Sequence, residues 1–372
     1  MTTDAEGRAA ADVDEGGMVT VLAFVYEGLR FRRTLVGVSP GDELRLELPR
    51  STSSRLGSVY VTVPPYPGAS TYEISTACAI VPDADISTAF GFDVTTACLS
   101  SDRLFHLAVT AYDSDDTPIA SAAVRDLAWT YPMRVTIPGW GDLATTAMDV
   151  VNGPASTVRV GHSLGYEVGG LDIRGPYVSA LVGPGDGATL VLGYVPGFAD
   201  RFSSLIFVEF ETSTEGEYVS SFIVEWRDAL QVSRVLDLTA DFLPRISPPI
   251  FDTSDPVHPS MAWTVDGALA GVDGGELQFG WTDPGSYGQG WAVLVPPDVA
   301  LPVRLPALPD ELTMWAPTAA ATFYQGGVQL VDAAWISSYD ELRRGGGFGA
   351  LFGNDVLPNS DASAKITQSG HF

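Results

Sequence analysis

The stretch STVRVGHSLGYEVGG, Ser156 to Gly170, contains GHSLG at Gly161–Gly165. GHSLG has the G-x-S-x-G form of a hydrolase nucleophile elbow. In that chemistry Ser163 would attack a carbonyl, a histidine would take its proton, and an acid would orient the histidine. Partners in the chain order such enzymes use are present: an acid at Asp228, Asp237 or Asp241, then His258. An elbow also needs a strand, a sharp turn and a helix whose N-terminus supports the oxyanion hole. STVRV is a good strand, but Gly169-Gly170 and Gly175-Pro176 would break any helix after it within about two turns. YEV and LDI instead alternate as two strands of a hairpin around Gly169-Gly170. His258 sits in a proline-rich segment, and there are only four histidines to choose from. GHSLG is therefore expected to be a turn between strands. Ser163 and His258 are an unassembled pair on this reading, and the protein is expected not to be an enzyme.

Three further patterns bear on chemistry. AYDSDDTPIA, Ala111 to Ala120, holds Asp113, Asp115 and Asp116 between two strands. Three carboxylates in a tight loop are hard oxygen ligands suited to calcium, but no bidentate Glu follows as in an EF-hand. The alternative is a hairpin loop in which Asp and Ser satisfy local backbone donors. Calcium is the single cofactor the sequence raises. The clusters Asp83/Asp85 and Asp12/Asp14/Glu15 suit the loop reading better still. Aromatic residues crowd the last third: Trp263, Trp281, Trp291, Trp315, Trp335 and Tyr287. Exposed aromatics stack on sugars or peptides, whereas buried ones fill a sandwich core. Trp291 lies in the alternating WAVLV and suits a core. Tyr287, in DPGSYGQG, is the candidate for ligand contact. Paired carboxylates of the glycosidase kind are possible in so acidic a chain, but no spacing singles out a pair.

Those residues must be positioned by strands. GSVYVTV from Gly57, FHLAVTAY from Phe105 and SSFIVEW from Ser220 alternate with period two, and Pro-Gly dipeptides punctuate them. Helical periodicity is nearly absent. The candidates are MDVVNG from Met148, and SSYDELRRG from Ser337 with Ser338 as a cap. The expected class is all-β, with several immunoglobulin-like or transthyretin-like β-sandwich domains in tandem. At 372 residues the chain exceeds one ordinary core. Composition shifts suggest a first β unit over 1–50, a sandwich with both cysteines over 51–131, and another over 132–243. A proline-rich linker over 244–259, a Trp-rich β unit over 260–353 and a loosely held tail over 354–372 complete the division. VPDAD, Val81 to Asp85, is expected to be a turn.

The net charge of −26 argues against nucleic acid as a partner, because phosphate binding needs clustered cations. Lys365 is the single lysine. A GC-rich genome or a high-salt proteome would each produce that bias. No apolar run is long enough for a transmembrane helix, and no signal peptide opens the chain. The two cysteines, Cys78 and Cys98, lie in similar settings on what read as neighbouring strands. One disulfide and an oxidising compartment follow, with two buried thiols as the alternative.

The opening TTDAEGRAAADVDEGGMVTVLAF carries T-D-x-x-G-R, an acidic turn ending in Gly, then V-T-V. Thr3, Asp4, Gly7, Arg8, Gly17 and Val19 to Val21 make this stretch resemble the second half of a carboxypeptidase regulatory-like domain. That domain is a small transthyretin-like sandwich of bacterial surface proteins. Asp4 to Gly7 suits a hairpin, Asp bonding the backbone and Gly taking positive φ. The family's first strands are missing before Met1, so the chain is expected to begin inside a domain, with a lipid anchor upstream as one arrangement. GQGWAVLVPPDVALPVRLPALPDEL from Gly288 is similar to β-rich regions of secreted or lipid-anchored proteins of predatory and soil bacteria. The resemblance implies an extracytoplasmic location and a scaffold without chemistry of its own. Together these readings describe a non-enzymatic, extracytoplasmic protein for surface structure, adhesion, or carbohydrate or peptide binding. Its partner would be an extracellular ligand or surface component. The alternatives are a secreted hydrolase or its accessory module, and a cytoplasmic halophile-type protein.

Overall fold

Short alternating segments rich in Val, Ile, Phe and Tyr become strands because one face of each can be buried while the other stays wet. The computed structural model describes residues 9–24, 30–44, 54–84, 89–141, 143–183, 185–212, 216–284, 288–345 and 361–371. Within them the protein is nearly all β, and the described helices are one α-helix, Tyr339–Arg344, and two 3-10 turns.

The largest sheet has ten strands. From edge to edge they are Gly17–Phe24, Arg30–Val38, Gln289–Val295, Gly274–Thr282, Thr322–Ala333, Ala362–His371, Glu217–Arg227, Arg201–Phe210, Thr157–Val168 and Leu171–Leu181. Neighbours are antiparallel except Arg30–Val38 and Gln289–Val295, which are parallel. Two three-stranded layers pack on this sheet. Ala188–Tyr194, Ala144–Val151 and Ser233–Asp237 cover one end, around Met148, Val150, Leu190, Ile206 and Ile223. Ile250–Asp252, Ser260–Ala262 and Val303–Arg304 belong to the other, around Trp281, Trp291, Leu277 and Val328. A separate sandwich precedes them. Its three strands Ala89–Thr95, Arg55–Thr62 and Met133–Thr136 face the four strands Ile80–Ala84, Thr71–Ser75, Leu104–Tyr112 and Pro118–Ala128.

The sheets correct several boundaries read from composition. The first fifty residues do not stand apart: Arg30–Val38 pairs with Gln289–Val295, so the N-terminal hairpin extends the sheet of the last unit. The proline-rich segment is not a free linker, since Ile246 is buried and Ile250–Asp252 pairs with Ser260–Ala262. The expected loose tail contains Ala362–His371, a central strand with neighbours on both sides. Lys365 aside, that strand is uncharged up to His371, and its short polar side chains pack into a sheet interior as readily as they solvate a tail. MDVVNG is strand rather than helix, because Thr146, Met148 and Val150 are buried while Asp149 is exposed, a period of two. The turn expected at Val81–Asp85 is strand as far as Ala84, with Val81 opposite Ile74, and Asp85 lies outside the described residues. The helix at Tyr339–Arg344 has Ser338 as its cap, accepting from the Glu341 N–H.

Candidate functional site

GHSLG lies inside one continuous strand, Thr157–Val168, with a register shift between Ser163 and Gly165. It is neither an elbow nor the expected turn. The turn comes later, at Gly169 and Gly170, whose φ values of 59° and 75° suit a two-residue hairpin to Leu171–Leu181. Gly161 is needed because a Cβ there would run into the Phe207 ring of the neighbouring strand. Ser163 lies opposite Tyr177 and Leu205, while the His258 ring is held by Asp255 at 3.2 Å in another element. Asp237 accepts from Thr239 and Asn152, so it has no part in orienting His258. Ser163, His258 and the candidate acids are therefore not brought together.

The residue of GHSLG that enters the interior is His162. Counting in twos along the strand, Val160, His162, Leu164, Tyr166 and Val168 are all buried. His162 thus sits between apolar neighbours along its strand and opposite Val178 and Ile206, and its polar company comes from one pair further along the ladder and from beyond it. Ser204 lies between Phe202 and Ile206, and it is directly opposite Glu225 on the next strand. From the facing layer, Thr146 and Arg234 arrive beside Met148 and Leu236. The result is a polar layer across the sandwich, dividing one apolar cluster around Ile206 from another around Tyr166 and Phe202.

Its bonds are specific. His162 Nε2 is 2.5 Å from Ser204 Oγ. Arg234 donates to Glu225 Oε2 at 2.5 Å, and Arg227 donates to both Glu225 oxygens at 3.2 Å. Thr146 donates to the Gln231 carbonyl at 2.7 Å. Glu225 is only 5% exposed. Burial alone would raise its pKa, but the hydrogen bonds from Arg227 and Arg234 hold it below the usual carboxylate range. His162 is 3% exposed, and its pKa is pushed down to about 4, mainly by burial, with the nearby Arg234 charge adding to the effect. A cavity of about 30 Å³ opens among His162, Ser204, Glu225, Gln231, Arg227 and Arg234.

A buried Ser–His contact beside a carboxylate invites comparison with a catalytic triad. Three features oppose it. A triad histidine donates from Nδ1 to the acid, whereas His162 Nδ1 is buried with no partner among the described residues. Glu225 is held by two arginines instead. A histidine with a pKa near 4 is also a poor general base at neutral pH. The layer is suited to holding charge and donating hydrogen bonds, not to moving a proton. No protein-family model matches the chain, and no curated protein matches it either.

The remaining candidates settle locally. Asp113 Oδ1 accepts from the N–H groups of Asp115 and Thr117, both at 2.9 Å, so this carboxylate closes its own hairpin loop. Among the described residues no three His, Cys, Asp or Glu side chains are grouped to hold a metal. Trp263, Trp281, Trp291 and Trp315 are buried, and Trp335 is half-buried in an edge-to-face contact with Trp226. They fill cores and do not form a platform. Tyr287 lies outside the described residues, as do Thr3, Asp4, Gly7 and Arg8. Cys78 and Cys98 form a disulfide with Cα atoms 4.8 Å apart, inside the range for bridged pairs. They occupy a loop after Thr71–Ser75 and the 3-10 turn Thr96–Cys98, not neighbouring strands, so the bridge ties together the two facing sheets.

Sequence reasoning passed over His162, Ser204, Glu225 and Arg234. His162 and Glu225 had a signal: each falls on the buried phase of a strongly alternating strand, where a polar residue has to find partners. Ser204 and Arg234 had none, since which strands would neighbour one another was not written in either segment.

Proposed function

We propose that the protein is a non-catalytic, extracytoplasmic β-sandwich protein that works through its surface, in adhesion, ligand binding or the build of a cell envelope. The observation carrying this reading is the Cys78–Cys98 disulfide, a bond that persists in oxidising compartments. The resemblance of the N-terminal residues to a carboxypeptidase regulatory-like domain supports it, and of those residues Gly17 and Val19 to Val21 lie in the first strand of the large sheet. So does the chemistry of the interior polar layer, whose carboxylate, Glu225, is held by Arg227 and Arg234 and not by His162. Among the described residues no helix is long and apolar enough to cross a membrane.

Two measurements test the reading. Protein from its native host is alkylated before and after reduction and weighed. Two alkyl groups added only after reduction support an oxidising location; labelling of native material overturns it. A fluorophosphonate probe then tests the absence of catalysis. Unlabelled protein is expected, and covalent labelling at Ser163 or Ser204 would replace this reading with the hydrolase.

A further inference from the structure

We propose that the cavity beside His162 is a binding site for one small monovalent anion of the halide class. The argument starts from the imidazole. Among the described residues, the Ser204 hydroxyl has one side-chain partner, His162 Nε2. If Nε2 carried the proton, both the Ser204 O–H and His162 Nδ1 would be left unpaired. If Nδ1 carries it, Ser204 donates to Nε2 and only the Nδ1 N–H is left over. The second tautomer strands fewer groups and is favoured, because each buried unpaired polar group costs about 1–3 kcal/mol. The polar layer therefore holds a buried donor in want of an acceptor.

Charge selects the kind of acceptor. Two arginines, Arg227 and Arg234, share one carboxylate, Glu225, which leaves one positive charge at the cavity. Asp361 bears on Arg227 from its exposed end, so the surplus is sharpest at Arg234. A guanidinium has five N–H donors, and Arg234 spends one on Glu225. A negative ion between Arg234 and the Nδ1 N–H would satisfy both, with the Arg234 side chain still 23% exposed at the cavity mouth. Size is compatible: a cavity of about 30 Å³ has room for a chloride or bromide. A neutral water fits the same space but leaves the charge unbalanced.

The test uses the full chain. Crystals soaked in sodium bromide are measured at the bromine absorption edge, where an anomalous peak within about 3.5 Å of His162 Nδ1 and the Arg234 guanidinium is expected. In solution, melting is followed in sodium bromide and in sodium gluconate at equal ionic strength. Bromide should give a saturable rise of about 2–4 °C, as for a ligand present well above its dissociation constant. Arg234→Gln should remove that rise, while Arg159→Gln, at a surface pair, should keep it. A cavity without bromine and equal melting in the two salts would overturn the proposal, leaving water as the occupant.

Discussion

The large sheet takes in strands from the two ends of the described chain by different means. Ala362–His371 is joined by backbone. It is in register with ten residues of Glu217–Trp226 on one side and eight of Gly326–Ala333 on the other. Arg30–Val38 is in register with only three residues of its parallel neighbour, Gln289–Val295. Side chains make up the difference. Arg343, fully buried, bonds the Gly37 carbonyl and Asp42, and the Tyr339 hydroxyl donates to the Val36 carbonyl at 2.8 Å. Arg32 lies over the Trp281 ring at 4.9 Å and donates to the Trp315 carbonyl at 2.5 Å. Arg33 pairs with the buried Glu276 at 3.3 Å. A seam built of ladder hydrogen bonds depends on few side chains. A seam built of buried ion pairs depends on each of them.

The widest separation between the seams should come from Thr367→Pro. Thr367 is buried at the middle of the central strand, between Ser221 and Leu330. Proline there removes a ladder donor and clashes with the pleat, at a cost of about 3 kcal/mol or more. Both halves of the sheet should lose their cooperative melt together in calorimetry. Arg343→Met attacks the other seam and should cost about 3 kcal/mol, because a fully buried arginine bonded to Gly37 and Asp42 is lost while only the more exposed Arg344 still faces Asp42. Its damage should be local. Limited proteolysis should cut the N-terminal hairpin while residues from the Cys78–Cys98 sandwich onward stay protected. Simultaneous loss of both ends in Arg343→Met would show that the two seams are one cooperative unit.

Acid should distinguish the interior polar layer from the N-terminal seam. The folded pKa of His162 lies below its unfolded value of 6.5, at about 4. As pH falls through that window the unfolded chain binds a proton that the fold refuses. Stability should therefore decline by about 3 kcal/mol in all, and His162→Gln should flatten the decline. Asp273 acts in the opposite sense. Burial raises its pKa to about 6, so between there and 3.8 the fold binds the extra proton and is stabilised as pH falls. Asp273→Asn should thus steepen the acid decline seen by urea melts at pH 4 to 6. Asp42 is held below the usual carboxylate range, first by the Ser39 N–H and then by Arg344 and Arg343. Its contribution is present above the unfolded pKa and is lost only at still lower pH. The smallest effect should be Arg344→Ala. It removes a half-exposed partner 3.1 Å from Asp42 and should cost under about 1 kcal/mol by denaturant midpoint.

Period and punctuation made the strand class legible, as in Thr157–Val168 and its Gly-Gly hairpin. They also made the capped helix legible, since Ser338, Glu341 and Arg343 act within a few residues of each other. Long-range placement was not. That Ala362–His371 would enter between Glu217–Arg227 and Thr322–Ala333 depends on two open edges far away in sequence, and no local pattern encodes them. The polar layer failed for the same reason in part. His162 was hidden in plain view because Ser163 next to it carried the recognisable motif. Alternation, which points one of the two inward, was the better guide to which residue matters.

The central place of Ala362–His371 has a consequence for biosynthesis. It is the last of the ten strands to leave the ribosome, and until it does, Glu217–Arg227 and Thr322–Ala333 each present an unpaired edge. A chain short of this segment is two half-sheets with open inner edges, and one that includes it has a single continuous ten-stranded sheet. A chain lacking this segment would expose those two edges to proteases and chaperones.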